Sequence, residues 1–453
     1  MNNVFKLMAC AGLLAAQAGA LHAAVSQDEA KKLGSSLTLV GAEKAGNKDG
    51  SIPEYTGGLT SAPAGFDKSR NVRPDPYAAD KPLLVIDARN MDKYAERLTE
   101  GSKALMKANP AYRIEVYPTH RSAAYPRFVL DNTVRNATRA KLSDNGIDID
   151  GARAGIPFPI PKNGNEAMKN FIARYNGRAF TVMKFSAYNA DASGKVVLSA
   201  QGVYQQENPY YDESKGGDQA GLLNRVRVSY TGPARRAGES LLSMDPVNYG
   251  DKGRRAWQYL PGQRRVRLAP DLAYDTPNSS TAGMSSYDDV NLFNGKMDRF
   301  DFKLAGKKEM YIPYNTYRFS YNDKPDEVFL PKSVNPAVLR WELHRVWVVE
   351  ATLKPGQRHI YSRRTFYLDE DSWAAVASDQ YDGRGQLWRA GFAYLTQSYD
   401  ASVPTTLTAG HYDLVAGTYY MNLWPGASGI KYSDSYQSDS AWTAESLAGQ
   451  GVR

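Results

Sequence analysis

The stretch RHIYSRRTFYLDEDSWAAVASDQYD, residues 358–382, indicates the fold class of this protein. Apolar and polar residues alternate on both sides of its centre, and a period of two is typical of β-strands. The acidic run DEDS, residues 369–372, interrupts the alternation and predicts a solvated turn. We therefore expect two antiparallel strands joined as a hairpin at this point.

The same period recurs over most of the chain after about residue 178. The strand-like runs are AFTVMKFSAYN, GKVVLSAQGVYQQ, LLNRVRVSYTG, ESLLSMDPV, AWQYLPGQRRVRLAP, HRVWVVEATL, QLWRAGFAYLT and GTYYMNLW. In the fifth run, Pro261 and Gly262 suit the central positions of a type II turn between two arms. Successive strands with short links predict one large antiparallel sheet of about ten to twelve strands.

The strand HIYSRRTFYL, residues 359–368, is amphipathic on both faces. Arg364 and Phe366 share one face, and Tyr361 and Tyr367 share the other. A sheet face that is aromatic and basic is either covered by a helix or lines a groove that receives an amphiphile. The residues alone leave both alternatives open.

Three segments have the caps or the period of helices. In SQDEAKKLG, residues 26–34, Ser26 and Glu29 form a capping box. The run at 90–110 predicts an amphipathic helix beginning at Asn90, and NEAMKNFIARYNG, residues 165–177, predicts another. With few helices beside many strands, the fold class is mainly β, of the α+β type.

The run GAEKAGNKDGSIPEYTGGL, residues 41–59, cannot build a core of its own because it is rich in glycine and small polar residues. Its apolar residues Ile52, Tyr55 and Leu59 are spaced as anchors. We call this run the strap and expect it to lie across the sheet, where its glycines permit close backbone contact and positive φ.

The N-terminus has the three-part pattern of a secretory signal, with Lys6, an apolar run over about residues 7–20, and small residues at Ala20 and Ala23. We expect cleavage after Ala23. Cys10 is the only cysteine, so the mature chain would contain none, which excludes disulfides and thiolate sites. An exported chain without disulfides suits the periplasm of a Gram-negative bacterium, and no later apolar run is long enough to predict a membrane span.

The formal net charge is +8, and removal of Lys6 with the signal leaves +7. Such a surplus suits an anionic lipid, a membrane surface, a polysaccharide or an acidic partner, or is simply solvated charge. Nucleic acid is not an expected partner, because the chain is exported.

The histidines of the mature chain lie in four separate segments, without the spacing of a zinc enzyme. Neither a nucleophile elbow nor a phosphate-binding loop is present. The sequence therefore predicts no catalytic residue, no metal site and no cofactor. Paired carboxylates from separate strands, as glycan cleavage would need, have no local signature.

Arginine doublets beside aromatic strand residues are the densest feature of functional type. An arginine fork binds phosphate or carboxylate, and an aromatic neighbour suits an apolar tail, so the pairing fits a lipid. Cross-strand ion pairing is the alternative explanation. From strand parity, the residues expected to line the groove are Trp257, Tyr259, Arg265, Trp347, Arg364 and Phe366.

Six blocks resemble, in this order, the signature blocks of domain-of-unknown-function family 1329. They are GAEKAGNKDGSIPEYTGGL, YPTHRSAAYP, AWQYLPGQRRVRLAPDLAYDTPN, YDDVNLFNGKMDRFDFKLAGKKEMYIPYNTYRF, RWELHRVWVVEATLKPGQRHIYSRRTFYLDEDSW and YDGRGQLWR. The likeness runs from about Val25 to beyond Arg389. It implies a relative of the lipoprotein carrier LolA, the receptor LolB and the sensor RseB.

That resemblance implies a strongly curved antiparallel sheet, an incomplete barrel closed over by helices, with an apolar concavity for acyl chains. It also implies genetic company with outer-membrane proteins and exporters of the resistance-nodulation-division type. No catalytic residue is defined for the family, so none is carried over.

The expected organisation has four parts. Residues 1–23 form the signal, 24–80 the short helix and strap, 81–400 the LolA-like domain, and 401–453 an extension packed on that domain. The expected function is a periplasmic carrier or adaptor for a lipid, lipoprotein or other amphiphile, serving an envelope export system. An enzyme acting on envelope glycan, or a scaffold joining an exporter to an outer-membrane protein, remain the alternatives.

Overall fold

The structure is a computed structural model that describes residues 25–214, 221–250 and 253–450. The expected signal segment and its cleavage point after Ala23 lie outside the described residues. Across the described ranges, no helix combines the length and the apolar character that crossing a bilayer requires.

Strands make up most of the regular structure of the described residues. They are β1 Leu84–Ile86, β2 Ile114–Val116, β3 Lys141–Leu142, β4 Ile149–Asp150, β5 Ala179–Ala190, β6 Val196–Glu207, β7 Leu222–Gly232, β8 Ser240–Pro246, β9 Arg255–Leu260, β10 Arg265–Leu268, β11 Phe300–Pro313, β12 Trp341–Leu353, β13 Arg363–Asp369, β14 Ala375–Tyr381, β15 Leu387–Ala393, β16 Thr396–Ser398, β17 Val403–Thr405, β18 Ala409–Asp413, β19 Thr418–Trp424 and β20 Lys431–Ser433.

The α-helices are short and few by comparison. They are α1 Gln27–Ala30, α2 Glu100–Ala108, α3 Arg127–Arg139, α4 Gly164–Ile172, α5 Tyr317–Ser320, α6 Pro325–Val328 and α7 Ala444–Gln450. The mainly β class expected from the sequence is therefore confirmed.

One sheet of 16 strands organises the molecule, in the order β1-β2-β12-β13-β14-β15-β18-β19-β5-β6-β7-β8-β9-β10, with β11 on β12 and β20 on β5. All of its ladders are antiparallel except a single parallel bridge between Trp341 and Val116. The terminal strands β1 and β10 do not pair with each other, so the sheet is not a closed barrel.

The sheet curves around a short segment of irregular backbone. The turn Tyr287–Leu292 contacts β14, β15 and β18 near the middle of the sheet. Tyr287 and Val290 also line a cavity together with residues of β7, β8 and β9 at the far end. One short segment reaches both regions because the sheet bends toward itself.

Both faces of the central sheet are buried. On β13, Phe366 and Leu368 join one apolar cluster, whereas Tyr367 between them joins another. Helix α4 contributes Met168 to the first cluster, and α2 contributes Met106 to the second. Each face of this strand is thus covered by an apolar cluster, and neither face is exposed to solvent.

The helical predictions succeed at one place and need correction at two others. Ser26 and Glu29 form the expected capping box of α1. Asn163 caps α4, but this helix ends at Ile172 and does not reach Gly177. The run at 90–110, however, divides into a 3-10 turn and α2, because Leu98 is extended. The Thr99 side chain then accepts a hydrogen bond from the Ser102 amide and starts a new helix.

The hairpin between β9 and β10 is confirmed, but its turn is not of type II. Pro261–Gln263 forms a 3-10 turn, and the positive φ of 47° falls on Arg264 instead of Gly262. The loop therefore closes one residue later than the proline and glycine alone suggested.

The prediction of a solvated turn at residues 369–372, hereafter the acidic turn, is wrong. Asp369, Glu370 and Asp371 are at most 2% exposed. The strap covers them: the Glu43 amide donates to Glu370, and the Trp373 indole donates to the carbonyl of Val40. Local sequence marks the turn correctly but contains no sign of the distant segment that buries it.

The chain after residue 400 is built into the sheet. Strands β18 and β19 lie between β15 and β5, and they connect the two halves of the sheet. Helix α7 packs against β8, β9 and β10. This C-terminal region therefore supplies central strands as well as an outer cover.

Candidate functional site

A cavity of about 130 Å³ lies against β5 to β9, between the sheet and an irregular segment above it. Its apolar wall comes mainly from residues of one parity on neighbouring strands, which point to the same side of the sheet. These wall residues include Phe185, Val226, Val228, Leu241, Ala256 and Leu423.

Residues 279–293, hereafter the cover segment, close the cavity. At one end, the Asn189 side chain donates to the carbonyl of Thr281 at 2.7 Å, and Ser199 donates to the carbonyl of Ser280 at 2.9 Å. This end of the cover segment is therefore fixed to β5 and β6. Its own backbone contains 3-10 turns and no strand.

The other end of the cover segment is fixed by buried charge. Arg364 Nη1 lies 2.9 Å from Asp288 Oδ2, and Arg364 Nη2 lies 3.2 Å from Asp289 Oδ1. His359 also contacts Asp288 at 2.9 Å. Burial alone would raise the pKa of Asp288, but Arg364 and His359 hold that pKa well below its usual value.

Two arginines line the cavity, and only one of them has a carboxylate partner. Arg254 Nε lies 2.6 Å from Asp245 Oδ1, so its charge is compensated. Arg174 is 7% exposed, and its Nη atoms donate to the Phe171 carbonyl and the Thr406 hydroxyl. No carboxylate of the described residues forms an ion pair with Arg174 within 4.0 Å.

The electrostatics of Arg174 follow from that isolation. Burial lowers the pKa of this guanidinium to about 10, since water is removed and no acid replaces it. Its charge is partly accommodated by the Phe171 ring, whose centroid lies 4.6 Å from the guanidinium carbon. A buried cation with these partners favours an anion in the adjoining cavity.

Three buried polar atoms of the lining residues have no hydrogen-bond partner within the described part of the chain. They are Arg174 Nε, Asn224 Oδ1 and Asn291 Oδ1. Buried polar atoms in native proteins are rarely left without a partner, and each exception calls for a bound water, ion or ligand. The cavity thus combines an apolar wall with unsatisfied polar groups.

A second concavity, of about 540 Å³, lies between residues 68–73 and 400–403. Its two arginines are already paired, because Arg73 contacts Asp400 at 2.6 Å and Arg178 contacts Glu213 at 3.4 Å, and no buried side-chain polar atom of its described lining lacks a hydrogen-bond partner. It therefore presents less unsatisfied polar chemistry than the cavity beneath the cover segment.

The six residues expected to line the groove do not come together. Trp257 and Tyr259 lie on the opposite side of β9 from Ala256 and pack against Trp442. Arg265 is exposed on β10. Trp257 and Tyr259 are thus on the outer face of the sheet, whereas Arg265, which pairs with Leu260, shares the face of Ala256 but does not line the cavity.

The other three residues lie deeper in the molecule. The Phe366 ring contacts the ring of Phe293, a cavity-lining residue, at a centroid distance of 5.7 Å. Arg364 anchors the cover segment, as described above. Trp347 stacks against Trp373 at 6.2 Å in the neighbouring apolar cluster. Arg364 and Phe366 therefore support the cover segment from behind.

The three strap residues contact the sheet side of the molecule in different ways. Ile52 is 1% exposed in the largest apolar cluster. The Tyr55 hydroxyl donates to the carbonyl of Ala123 at 2.8 Å, and the Leu59 amide donates to the carbonyl of Ser122 at 2.8 Å. The strap lies over the acidic turn and does not line the cavity beneath the cover segment.

Sequence reasoning missed Arg174 and the wall residues of β7 and β8. The alternation in LLNRVRVSYTG does assign Val226 and Val228 to one face, so parity could have grouped them. It does not say which face is concave. Arg174 follows the apolar stripe of α4, and its lack of an acidic partner is visible only in three dimensions.

The comparisons with known proteins identify the class. Residues 85–448 match the family described as "Protein of unknown function (DUF1329)", and this chain belongs to that family. Among curated proteins, it is similar to "Uncharacterized protein PA3922" of Pseudomonas aeruginosa. The two are 43% identical over 448 residues, which are 97% of this chain and 96% of the relative.

Two solved structures are similar to this chain over part of its length. A family 1329 protein from Desulfovibrio piger has 15% identity and a TM-score of 0.40, covering 60% of this chain and 92% of its own. A putative outer membrane lipoprotein-sorting protein domain from Vibrio parahaemolyticus has 12% identity and a TM-score of 0.42, covering 62% of this chain and 97% of its own.

Proposed function

We propose that this protein is a periplasmic carrier that binds one amphiphile, with its apolar tail in the cavity and its anionic head near Arg174. The observation that carries the proposal is the buried Arg174 guanidinium, which lines an apolar cavity without a carboxylate partner among the described residues. The periplasmic location rests on the signal pattern of residues 1–23. Fatty acids, phospholipids and acylated proteins share this ligand chemistry.

Loading requires the cover segment to move. Ligand pockets for small molecules usually measure about 300–1,000 Å³, whereas this cavity measures about 130 Å³. The cover segment is the element suited to move, because it consists of short turns and has positive φ at Ala282 and Asn291. We infer that the described state is the closed form, and that a tail enters as the cover segment lifts from β5 and β6.

The carrier is tested first with protein isolated from the periplasm without detergent. Native mass spectrometry followed by lipid extraction should find a stoichiometric acyl compound, and stripped protein should bind palmitate. Leu241→Asp should abolish binding because it places a charge on the apolar wall. Leu268→Asp is the matched control, since Leu268 is 58% exposed on the nearby strand β10.

The head-group contact is tested separately with Arg174→Gln. Loss of a charge-assisted contact should weaken palmitate binding by at least about tenfold. The matching alcohol, hexadecanol, lacks the carboxylate and should bind both proteins equally. Protein that is empty on isolation and binds no acyl compound would overturn the carrier proposal. In that case copurified proteins would favour the scaffold, and loss of glycan turnover on one acidic substitution would favour the enzyme.

A further inference from the structure

His344, Asp369 and Asp371 form a buried cluster beneath the strap. None of the three residues lines the carrier cavity. One potential ligand atom from each of the three lies within 4.8 Å of the others. His344 belongs to β12, Asp369 ends β13, and Asp371 lies in the acidic turn. Two adjacent strands and one turn therefore hold the cluster in place.

The tautomer of His344 follows from its outer neighbour. His344 Nε2 lies 3.0 Å from Glu342 Oε2, and Arg340 Nε lies 2.5 Å from the other oxygen of the same carboxylate. Because Glu342 is paired with Arg340 as a carboxylate, it accepts and His344 Nε2 donates. The neutral imidazole then has its lone pair on Nδ1, facing Asp369.

Asp369 Oδ1, which faces this lone pair, accepts no hydrogen bond from the described residues. Asp369 Oδ2 accepts from the amide and hydroxyl of Ser372, but Asp369 Oδ1 has no hydrogen-bond partner among the described residues. Asp369 Oδ1 lies 4.0 Å from His344 Nδ1, which is too far for a direct hydrogen bond. Two lone-pair atoms thus face each other across a gap of the size that a cation fills.

Charge counting over the surrounding ion-pair network points the same way. Ion pairs within 4.0 Å connect four bases and six acids, the acids of this cluster included, and the network has a net charge of −2 when the histidines are neutral and all six acids are ionised. The bases are Arg121, Lys307, Arg340 and Arg345, and the acids are Glu43, Asp80, Glu342, Asp369, Glu370 and Asp371. One divalent cation would neutralise the network.

We propose that His344 Nδ1, Asp369 and Asp371 bind a divalent transition-metal ion, with zinc as the best fit. An imidazole nitrogen with two carboxylate oxygens suits zinc, whereas calcium and magnesium prefer oxygen ligands alone. The Glu342–His344 contact is the carboxylate–histidine arrangement that orients metal-binding imidazoles. Bond lengths of about 2.0–2.1 Å place zinc ligands roughly 3.4 Å apart, so the three side chains close in by about 1 Å.

A further polar group adjoins the site. The Tyr314 ring stacks on the His344 ring with centroids 3.8 Å apart, and its buried hydroxyl has no partner within the described ranges. Tyr314 or a water would supply the fourth ligand. Since Arg121 links Asp371 to the carbonyls of Glu43 and Lys44, the ion would also hold the strap on the sheet.

The experiment uses the mature chain without an affinity tag, dialysed against a chelator and then given zinc. After gel filtration, elemental analysis should find one zinc per chain, and the melting temperature should rise with zinc concentration. Cobalt added instead should give the intense visible bands of a four-coordinate site. Protein that retains no zinc and leaves cobalt with its aqueous spectrum would overturn the proposal.

Variants separate this site from adventitious surface binding. Asp369→Asn keeps the side-chain volume and should weaken zinc binding by at least about tenfold, whereas Asp301→Asn, on the exposed part of β11, should leave it unchanged. Equal zinc content in Asp369→Asn and the parent chain would refute the site. If Asp369→Asn does not fold, the cobalt spectrum of the parent chain decides the question by itself.

Discussion

Arg364 Nη1 lies 2.9 Å from Asp288 Oδ2, and both side chains are buried. This ion pair joins β13, in the middle of the sheet, to the cover segment above the cavity. A buried pair is costly to break, because the remaining charge keeps its desolvation penalty without its partner. The pair therefore fixes this end of the cover segment to the sheet.

Arg364→Met should lower the free energy of unfolding by about 3–5 kcal/mol, since it leaves the buried Asp288 with His359 alone and the buried Asp289 with the more distant Arg389 alone. Urea unfolding measures the loss, and limited proteolysis should show faster cleavage within the cover segment. The adjacent Arg363→Met is the control. Arg363 lies on the other face over the Tyr381 ring, 3.6 Å from its centroid, and its loss should cost under about 1 kcal/mol.

A compensated variant sharpens this test. Replacing Asp288 by Asn together with Arg364→Met removes both charges of this pair, leaves Asp289 beside Arg389, and should recover part of the lost stability. If this double variant is less stable than Arg364→Met alone, uncompensated charge on Asp288 is not the cause of the loss.

His411 should contribute a loss of stability as the pH is lowered, against the opposite contribution of Asp369 and Asp379, whose pKa values burial raises to about 7 and about 6. Burial lowers the pKa of His411 to about 4 from 6.5, while Asp289 acts to raise this pKa and Arg389 acts to lower it. The unfolded chain takes up a proton near pH 6.5 while the folded chain does not, so this stability is present above pH 6.5 and is lost toward pH 4. The full contribution is about 3 kcal/mol.

His411→Gln should remove that contribution, because glutamine does not titrate. Urea unfolding of both proteins at several values between pH 7.5 and pH 4 provides the comparison, and the stability difference between them should change by about 1.4 kcal/mol per unit of pKa difference. A stability difference that does not vary with pH would show that His411 does not make this contribution.

Gly58→Ala should detach the end of the strap. Gly58 has φ +77°, and a Cβ there would lie 2.2 Å from the carbonyl oxygen of Ala123. Gly57 also has positive φ, at +112°, but its Cβ would meet nothing within 4 Å. Gly57→Ala is thus a control for backbone strain alone, and Gly58→Ala should cost about 1–3 kcal/mol more. Equal losses in urea unfolding would contradict the close contact.

Trp257→Ala should leave palmitate binding unchanged, although the sequence placed Trp257 in the groove. Its ring packs with Tyr259 and Trp442 on the side of β9 that faces away from the cavity. The substitution should instead cost about 2–3 kcal/mol and expose the C-terminal helix to proteolysis. A selective loss of ligand affinity with normal stability would restore Trp257 to the binding surface.

Local patterns predicted the strands well and the groove poorly. The hairpins of β5 with β6 and of β9 with β10 follow from alternation and turn residues, which act over a few positions. Strand parity separated Trp257 from Ala256 correctly. It could not say that Ala256 faces the cavity, because this depends on which way the whole sheet bends.

The acidic turn illustrates the same limit. Three consecutive acids are normally solvated, and the sequence around them contains nothing to the contrary. Their burial depends on Arg121, which contacts Asp371 at 2.7 Å from a position 250 residues away. Arg174 is a parallel case, since the absence of an acidic partner is a property of its surroundings.

The sequence by itself determined the mainly β class, most of the strand and turn positions, and the family. Each of these follows from short-range periodicity, from composition or from contiguous blocks of sequence. Only the tertiary structure decided which sheet face is concave, which arginine lacks a partner, and which carboxylates face His344. Those properties arise in two places, where β5 to β9 meet the cover segment and where the strap meets the acidic turn, and the groups that meet there are far apart along the chain.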